Sequence, residues 1–113
     1  MKEEVIIDGV VYVPKKAIGE KYLVRTHSAG VFYGEILERP SSKEMVLKDS
    51  RMIHWWEGAA ACSQIAMEGL KLPENSRLCV TVPQRIVTEV IEILTMTPEA
   101  IANLDAIPDW RID

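Results

Sequence analysis

The alternation of apolar and polar positions predicts an antiparallel sheet in the first half of the chain. Two short apolar runs flank Asp8 and Gly9, a dipeptide typical of a two-residue turn, so we expect a β-hairpin over residues 4–13. Segments rich in β-branched and aromatic residues follow between residues 21 and 56. The pattern therefore predicts a sheet over 21–56, with a kink or turn at residues 48–50.

The spacing of apolar residues changes after this sheet. Between residues 58 and 68 small and apolar side chains recur three and four positions apart, which is the period of an amphipathic helix. Gly69 follows directly, and glycine is the residue that most often ends a helix. The pattern predicts a helix over 58–68.

The last third of the chain returns to strands and ends with a second helix. Residues 78–94 have strand character, and Thr97 followed by Pro98 is a typical helix start, so we expect a helix over 98–107. Strands interrupted by helices predict a single α+β domain over residues 1–113. Its sheet should be largely antiparallel and either strongly curved or closed into a small barrel, with two short helices against it.

One predicted strand is apolar on both of its faces. Alternation places on one face Val87, Ile91 and Ile93, and on the other Ile86, Val90 and Leu94. A strand of this kind must be covered on both sides. A chain of only 113 residues has few elements to cover both faces, so a second copy of the protein could cover one of them. We therefore expect a homo-oligomer.

Composition and charge narrow the classes of function. The chain is 48% hydrophobic and 27% charged, as globular domains are. The formal net charge of -4 disfavours a surface for duplex nucleic acid, because such binding requires cations against the phosphates. No apolar run approaches the roughly 20 residues of a membrane span. With a charged N-terminus and two cysteines, these features predict a cytoplasmic protein without membrane contact.

No stretch of the chain contains a known catalytic or cofactor-binding motif. Phosphate-binding glycine loops, dinucleotide fingerprints and paired-histidine zinc motifs are all lacking. Cys62 could act as a nucleophile with a histidine as its base, but its alanine-rich surroundings are more typical of helix packing. A metal site would need four scattered residues without ligand spacing, His27, His54, Cys62 and Cys79. We therefore expect a non-enzymatic protein with no cofactor and no metal.

The candidate binding site is the unusual run of aromatic and cationic residues at 51–56. On a strand, alternation would place Arg51, Ile53 and Trp55 on one face, so that one of the two tryptophans enters the core and the other lines a surface. An exposed indole beside a guanidinium suits a planar, anionic ligand. The predicted ligand-binding residues are Arg51, His54, Trp55, Trp56, Arg25 and His27. Alternatively both tryptophans are structural, one in the core and one buried at an oligomer interface. Trp110 in the tail could cover a pocket or anchor the C-terminus, and we expect it to anchor.

Several segments resemble a family of small uncharacterised proteins of tailed bacteriophages and prophages. They are YLVRTHSAGVFYGEI (22–36), VLKDSR (46–51), WEGAA (56–60) with residues 63–64, and TEVIEI (88–93). The resemblance covers most of the chain between residues 22 and 94, and the run at 54–56 departs from it. It implies a setting in the bacterial host cell rather than a particular chemistry, since small phage proteins of this kind often antagonise host defence.

Three kinds of binding function are compatible with these observations. The first is sequestration of a nucleotide immune signal, which requires an exposed aromatic side chain and cations. The second is inhibition of a host nuclease by protein binding, as anti-CRISPR proteins do, which requires clustered carboxylates. The third is a minor structural or assembly role in the phage. The Arg and Trp residues at 51–56 favour the first.

Overall fold

The computed structural model describes residues 18–113 and the backbone of two short strands that precede them. These are β1 (Val5–Ile7) and β2 (Val10–Tyr12), which pair antiparallel with Ile7 opposite Val10. The turn predicted at Asp8 and Gly9 lies outside the described residues. Within the described part of the chain, no helix is both long enough and apolar enough to cross a membrane.

Among the described residues, six further strands form one antiparallel sheet. They are β3 (Tyr22–Thr26), β4 (Val31–Glu38), β5 (Met45–Trp55), β6 (Arg77–Leu78), β7 (Val82–Val87) and β8 (Val90–Thr95). Their order is β6-β5-β4-β3-β8, and β7 pairs with the first half of β5. With two α-helices on the sheet, the predicted α+β class with a curved antiparallel sheet is confirmed. The sheet does not close into a barrel.

The strong curvature follows from the way β7 is joined to β8. These strands lie at opposite edges of the sheet, beside β5 and β3 respectively, yet only Thr88 and Glu89 connect them. At the connection, His27 N–H donates to the carbonyl of Glu89 at 3.0 Å, and Val90 N–H donates to the carbonyl of Lys43 at 2.8 Å. The two edges therefore approach each other at one end. The expectation that the apolar residues between 86 and 94 lie on one strand is wrong, because this turn divides them between β7 and β8.

A β-bulge in β5 bends the sheet at the predicted kink. Residues 49 and 50 together oppose Gly34, and Asp49 has a positive φ of 49°. A side chain at Gly34 would place its Cβ 2.8 Å from the Cβ of Ser50, so only glycine allows this close approach. The kink expected at 48–50 is thus a bulge within one continuous strand.

The sheet is covered on both faces by the chain itself. One core lies between the sheet and the helices and includes Leu23 and Tyr33. The other lies inside the curl and includes Val24 and Phe32, the alternate residues of the same strands. The curl buries Val87 and Val90 of the apolar pattern over residues 86–94, but Ile86 is 64% exposed and Ile91 is 56% exposed. The chain itself therefore leaves part of this pattern uncovered, and the homo-oligomer remains a prediction.

The first helix is shorter than its sequence pattern indicated. Helix α1 spans Cys62–Glu68, whereas 58–68 was expected. Gly58 has a φ of 89°, and a Cβ there would collide with the backbone of Leu72. Gly58 therefore serves this close approach, and residues 58–61 precede the helix instead of forming its first turn. Gly69 ends α1 with a positive φ, as predicted.

The second helix begins where the sequence predicts and packs beside the first. Helix α2 spans Pro98–Asp105, two residues shorter than the predicted 98–107. The Thr97 hydroxyl accepts a hydrogen bond from Ala100 N–H at 3.1 Å, which satisfies a backbone donor of the first turn. Beyond the helix, Asp109 forms an isolated bridge with Leu78, so the C-terminal tail lies along β6.

Candidate functional site

Arg51 lies inside the protein, although the sequence suggested a ligand-binding role. Its side chain is 5% exposed. The guanidinium donates to the carbonyls of Cys79 at 2.9 Å, Leu104 at 2.9 Å and Leu78 at 3.4 Å. It also reaches the Tyr33 hydroxyl at 3.4 Å and the Asp109 carboxylate at 3.0 Å. Through these contacts Arg51 links β5, β6, α2 and the tail. Because they use all of its N–H donors, none remains for a ligand, and we leave Arg51 out of the candidate site.

A shift in strand register turns Trp55 outward. Ile53 pairs with Leu78 in the core, but Trp55 pairs with Arg77, so His54 is an extra residue between the two pairs. As a result Trp55 is 54% exposed, while Ile53 is buried. The prediction that alternation keeps Arg51, Ile53 and Trp55 on one face is therefore wrong for Trp55.

Trp56 takes the position of the inner tryptophan. Its side chain is half-buried and packs against the core beneath the helices. The two neighbouring indoles therefore have different environments, one inside and one outside, as expected for this pair. Of these two neighbours, Trp55 is the one that presents an exposed ring to a ligand.

Four side chains at this end of the sheet form a continuous surface, which we call the aromatic surface: His54, Trp55, Arg77 and Trp110. The rings of His54 and Trp110 stack at 4.8 Å between centroids and 17° between planes. The Arg77 guanidinium lies 5.2 Å from the centre of the Trp110 ring, a cation–π contact. Among the described residues, Arg77 has no carboxylate within ion-pair distance. Its charge is thus available to an anion.

A cavity of about 400 Å³ opens beside the aromatic surface. Its walls are formed by Trp55, Glu57, Glu74, Asn75, Ser76, Arg77 and Trp110. The Trp55 indole donates to Glu57 Oε2 at 3.3 Å. Ser76 connects two parts of the cavity wall, since its hydroxyl accepts a hydrogen bond from Glu57 N–H at 3.2 Å and donates one to the carbonyl of Leu72 at 3.0 Å. The cavity therefore combines aromatic faces, one cation and two carboxylates.

The tail contributes to this site through its backbone. Trp110 N–H donates to the carbonyl of Leu78 at 2.8 Å, next to the bridge formed by Asp109. The same Leu78 carbonyl accepts from Arg51. Trp110 was expected to anchor the C-terminus, and its backbone does so. Its ring, which is 48% exposed, also extends the aromatic surface.

Arg25 and His27 lie apart from the aromatic surface. Arg25 pairs with Val31, which pairs with Ile53, so two interstrand spacings, roughly 10 Å, separate β3 from β5. The hydrogen bond from Arg25 Nη1 to Glu92 Oε1, 2.8 Å long, raises the pKa of the guanidinium. His27 is largely exposed, with its Nδ1 3.9 Å from Glu89 Oε2. The six predicted site residues are therefore not brought together, and His54 and Trp55 alone remain.

Sequence reasoning missed Arg77 as a site residue, and no local pattern marks it. Its role depends on pairing with Trp55 across the β5–β6 ladder. The two cysteines are free, and burial raises the pKa of the Cys62 thiol, which disfavours the reactive thiolate. Among the described residues, no cluster of three or more His, Cys, Asp or Glu side chains could hold a metal ion.

Comparison with known proteins assigns the chain to a family. Neither a curated protein nor a solved structure matches it. Residues 19–104 match the family described as a domain of unknown function (DUF6948). This span includes the sheet strands β3 to β8, and also His54, Trp55 and Arg77, whereas Asp109 and Trp110 lie beyond it. Because the match covers well over half of the 113 residues, the chain belongs to the DUF6948 family.

Proposed function

We propose that this protein is a non-enzymatic binding protein that sequesters a nucleotide signal on its aromatic surface. The observation that carries the proposal is the exposed indole of Trp55 beside the unpaired guanidinium of Arg77. Both project from paired strands, so the arrangement is held by the backbone ladder. A rigid site of this kind binds without first ordering a loop.

The two groups match the two chemical parts of a nucleotide. A base can stack on the exposed face of Trp55, and such stacking contributes about 1–3 kcal/mol per base. A phosphate can accept charge-assisted hydrogen bonds from Arg77, whose guanidinium suits phosphate geometry. Asn75 and Ser76 in the cavity wall add polar groups for the sugar. The combination supports a single small nucleotide rather than a nucleic-acid strand, because only one cation is present in the cavity wall.

The biological setting is part of the same proposal. The resemblance of residues 22–94 to proteins of tailed phages and prophages supports a role in a bacterial host cell. A protein that removes a nucleotide immune signal there would act as a host-defence antagonist in the cytoplasm. It would require stoichiometric binding and no catalytic step.

A thermal-shift screen tests the proposal. The purified protein is heated with cyclic di- and trinucleotides and with cyclic ADP-ribose isomers. A ligand at 100 times its Kd should raise the free energy of unfolding by about 2.7 kcal/mol, which shifts Tm by several degrees at this size. We expect Trp55→Ala and Arg77→Ala to abolish the shift. Arg39→Ala, an exposed arginine in the β4–β5 loop, serves as the matched control.

A second candidate function is inhibition of a host nuclease by protein binding. The observation that favours it is the pair of carboxylates, Glu57 and Glu74, beside two exposed indoles. Such a cavity could also hold a lysine or arginine side chain of a partner by cation–π and ionic contacts. Absence of any nucleotide shift, together with binding to a purified nuclease that Glu57→Gln and Glu74→Gln both weaken, would favour this candidate.

A further inference from the structure

The two carboxylates of the cavity still have acceptor capacity. Glu57 Oε2 accepts one hydrogen bond, from the Trp55 indole, and within the described residues its other oxygen has no partner. Glu74 is the middle residue of the 3₁₀ turn Pro73–Asn75 and likewise has no side-chain partner among the described residues. A ligand in this cavity therefore meets several unused acceptors.

These acceptors limit the kind of nucleotide that the cavity can accept. Two carboxylates and one guanidinium give the wall an excess of negative charge. A ligand that offered only phosphate charge would be repelled by Glu57 and Glu74. A base whose edge carries N–H donors would instead convert both carboxylates into hydrogen-bonding partners.

We propose that the nucleotide is a guanine nucleotide, read through its base by Glu57 and Glu74. This inference rests on the proposed function. Guanine carries N1–H and the N2 amino group side by side, and together they fit the two oxygens of a carboxylate. Adenine places an acceptor, N1, beside its amino group, and cytosine places N3 beside its own, so each would oppose the carboxylate. Uracil has a single N–H between two carbonyl oxygens.

Glu57 is placed to read a base that stacks on Trp55. The indole N–H holds its carboxylate at the edge of the ring, 3.3 Å from the nitrogen. A base lying over that ring extends its own edge toward the same carboxylate. The phosphate then lies toward Arg77, which pairs with Trp55 on the neighbouring strand.

Calorimetric titration with GMP, IMP and AMP tests this assignment, because these nucleotides share the sugar and phosphate. IMP keeps N1–H but lacks the N2 amino group, and AMP lacks both donors. We expect GMP to bind at least about tenfold more tightly than AMP, with IMP between them, since one bidentate base contact gives discrimination of this size. The double variant Glu57→Gln, Glu74→Gln should bind GMP no better than AMP, with AMP affinity kept or improved.

The outcomes separate this inference from the proposed function. Equal affinity of the wild type for all three nucleotides would overturn the guanine assignment and leave nucleotide binding in place. A preference for GMP that survives in the double variant would show that the carboxylates do not read the base. Binding of none of the three would overturn the guanine assignment, whereas the proposed function is overturned only if the cyclic nucleotides of the thermal-shift screen also fail to bind. The double variant Glu20→Gln, Glu38→Gln, at two exposed carboxylates outside the cavity, controls for the change of two units in net charge.

Discussion

Arg51 and Arg77 lie on neighbouring strands and each contacts an aromatic side chain, but their guanidinium groups have opposite environments. Arg51 is buried and donates to backbone carbonyls, to the Tyr33 hydroxyl and to Asp109. Arg77 is exposed and contacts only the face of Trp110 among the interactions of the described residues. The first guanidinium joins four parts of the fold, whereas the second remains open to a ligand.

The difference shows that a cation near an aromatic residue is not by itself a binding site. A buried guanidinium must have its donors satisfied inside the protein, since an unpaired buried charge is very costly. Once satisfied, it has no hydrogen bonds left for a ligand. An exposed guanidinium on an aromatic face loses little solvation and keeps its donors free. Substitutions at the two positions should therefore separate stability from binding.

Arg51→Ala should cause the largest loss of stability. It leaves Asp109 without its partner and the Cys79 carbonyl without a donor, and it removes one of the donors to the Leu78 and Leu104 carbonyls. We therefore expect a loss of about 3–5 kcal/mol in the free energy of unfolding. Urea denaturation followed by circular dichroism measures this loss. Arg51→Lys should recover part of it, because an ammonium reaches fewer of the same acceptors. A loss below about 1 kcal/mol for the alanine variant would contradict the structural role.

Tyr33→Phe should have the next largest effect. The fully buried Tyr33 donates to Asp105 at 2.8 Å and accepts from Arg51, so removing its hydroxyl should cost about 1–2 kcal/mol. Chemical denaturation of the two proteins at neutral pH measures the difference. An unchanged midpoint would mean that Arg51 and Asp105 find other partners.

The stability of the wild type should also depend on Tyr33 at high pH. Burial, assisted by Asp105 and opposed by Arg51, raises the pKa of Tyr33 well above its ordinary value of 10. The unfolded chain releases this proton near pH 10, whereas the folded chain keeps it, so the free energy of unfolding falls as the pH rises above about 10. The difference in stability between wild type and Tyr33→Phe should therefore shrink in that range. A constant difference would exclude this linkage.

Asp109→Asn should have a smaller effect, of about 1 kcal/mol, because its carboxylate is partly exposed to solvent. The variant tests whether the contact with Arg51 positions the tail. If it does, the Trp110 ring loses its stacking on His54, and the ring-current shift of the His54 protons decreases in the NMR spectrum. Unchanged His54 shifts would show that the Leu78 hydrogen bond alone holds Trp110.

Arg77→Ala should have the smallest effect on stability, within about 0.5 kcal/mol, as is usual for surface substitutions. Its effect on binding should be large, with nucleotide affinity at least about tenfold weaker because a charge-assisted phosphate contact is lost. Calorimetry on the variant and on the Arg39→Ala control measures this. A loss of stability as large as that of Arg51→Ala would show that Arg77 also has a structural role, and would contradict the contrast between the two arginines.

The sequence predicted most elements but not how they are joined. Thr97 and Pro98 predicted the start of α2 because capping is a local interaction. The turn at Thr88 and Glu89 escaped prediction, because apolar residues continue on both sides of it while the strands pair with distant partners. The small residues at 58–61 resembled the start of a helix, but Gly58 is instead placed where two stretches of backbone pack closely.

The candidate site could be predicted only in part, because it depends on which strands pair and in which register. The sequence alone predicted the α+β class, and it left open whether one of the two adjacent indoles would be exposed or both would be structural. Tertiary structure decided that the exposed indole is Trp55, because a one-residue shift between β5 and β6 reverses the faces after Ile53. It also decided that Arg77, rather than Arg51, stands beside it. Local patterns follow from interactions between near neighbours, whereas the burial of a charge depends on carbonyls and carboxylates far along the chain.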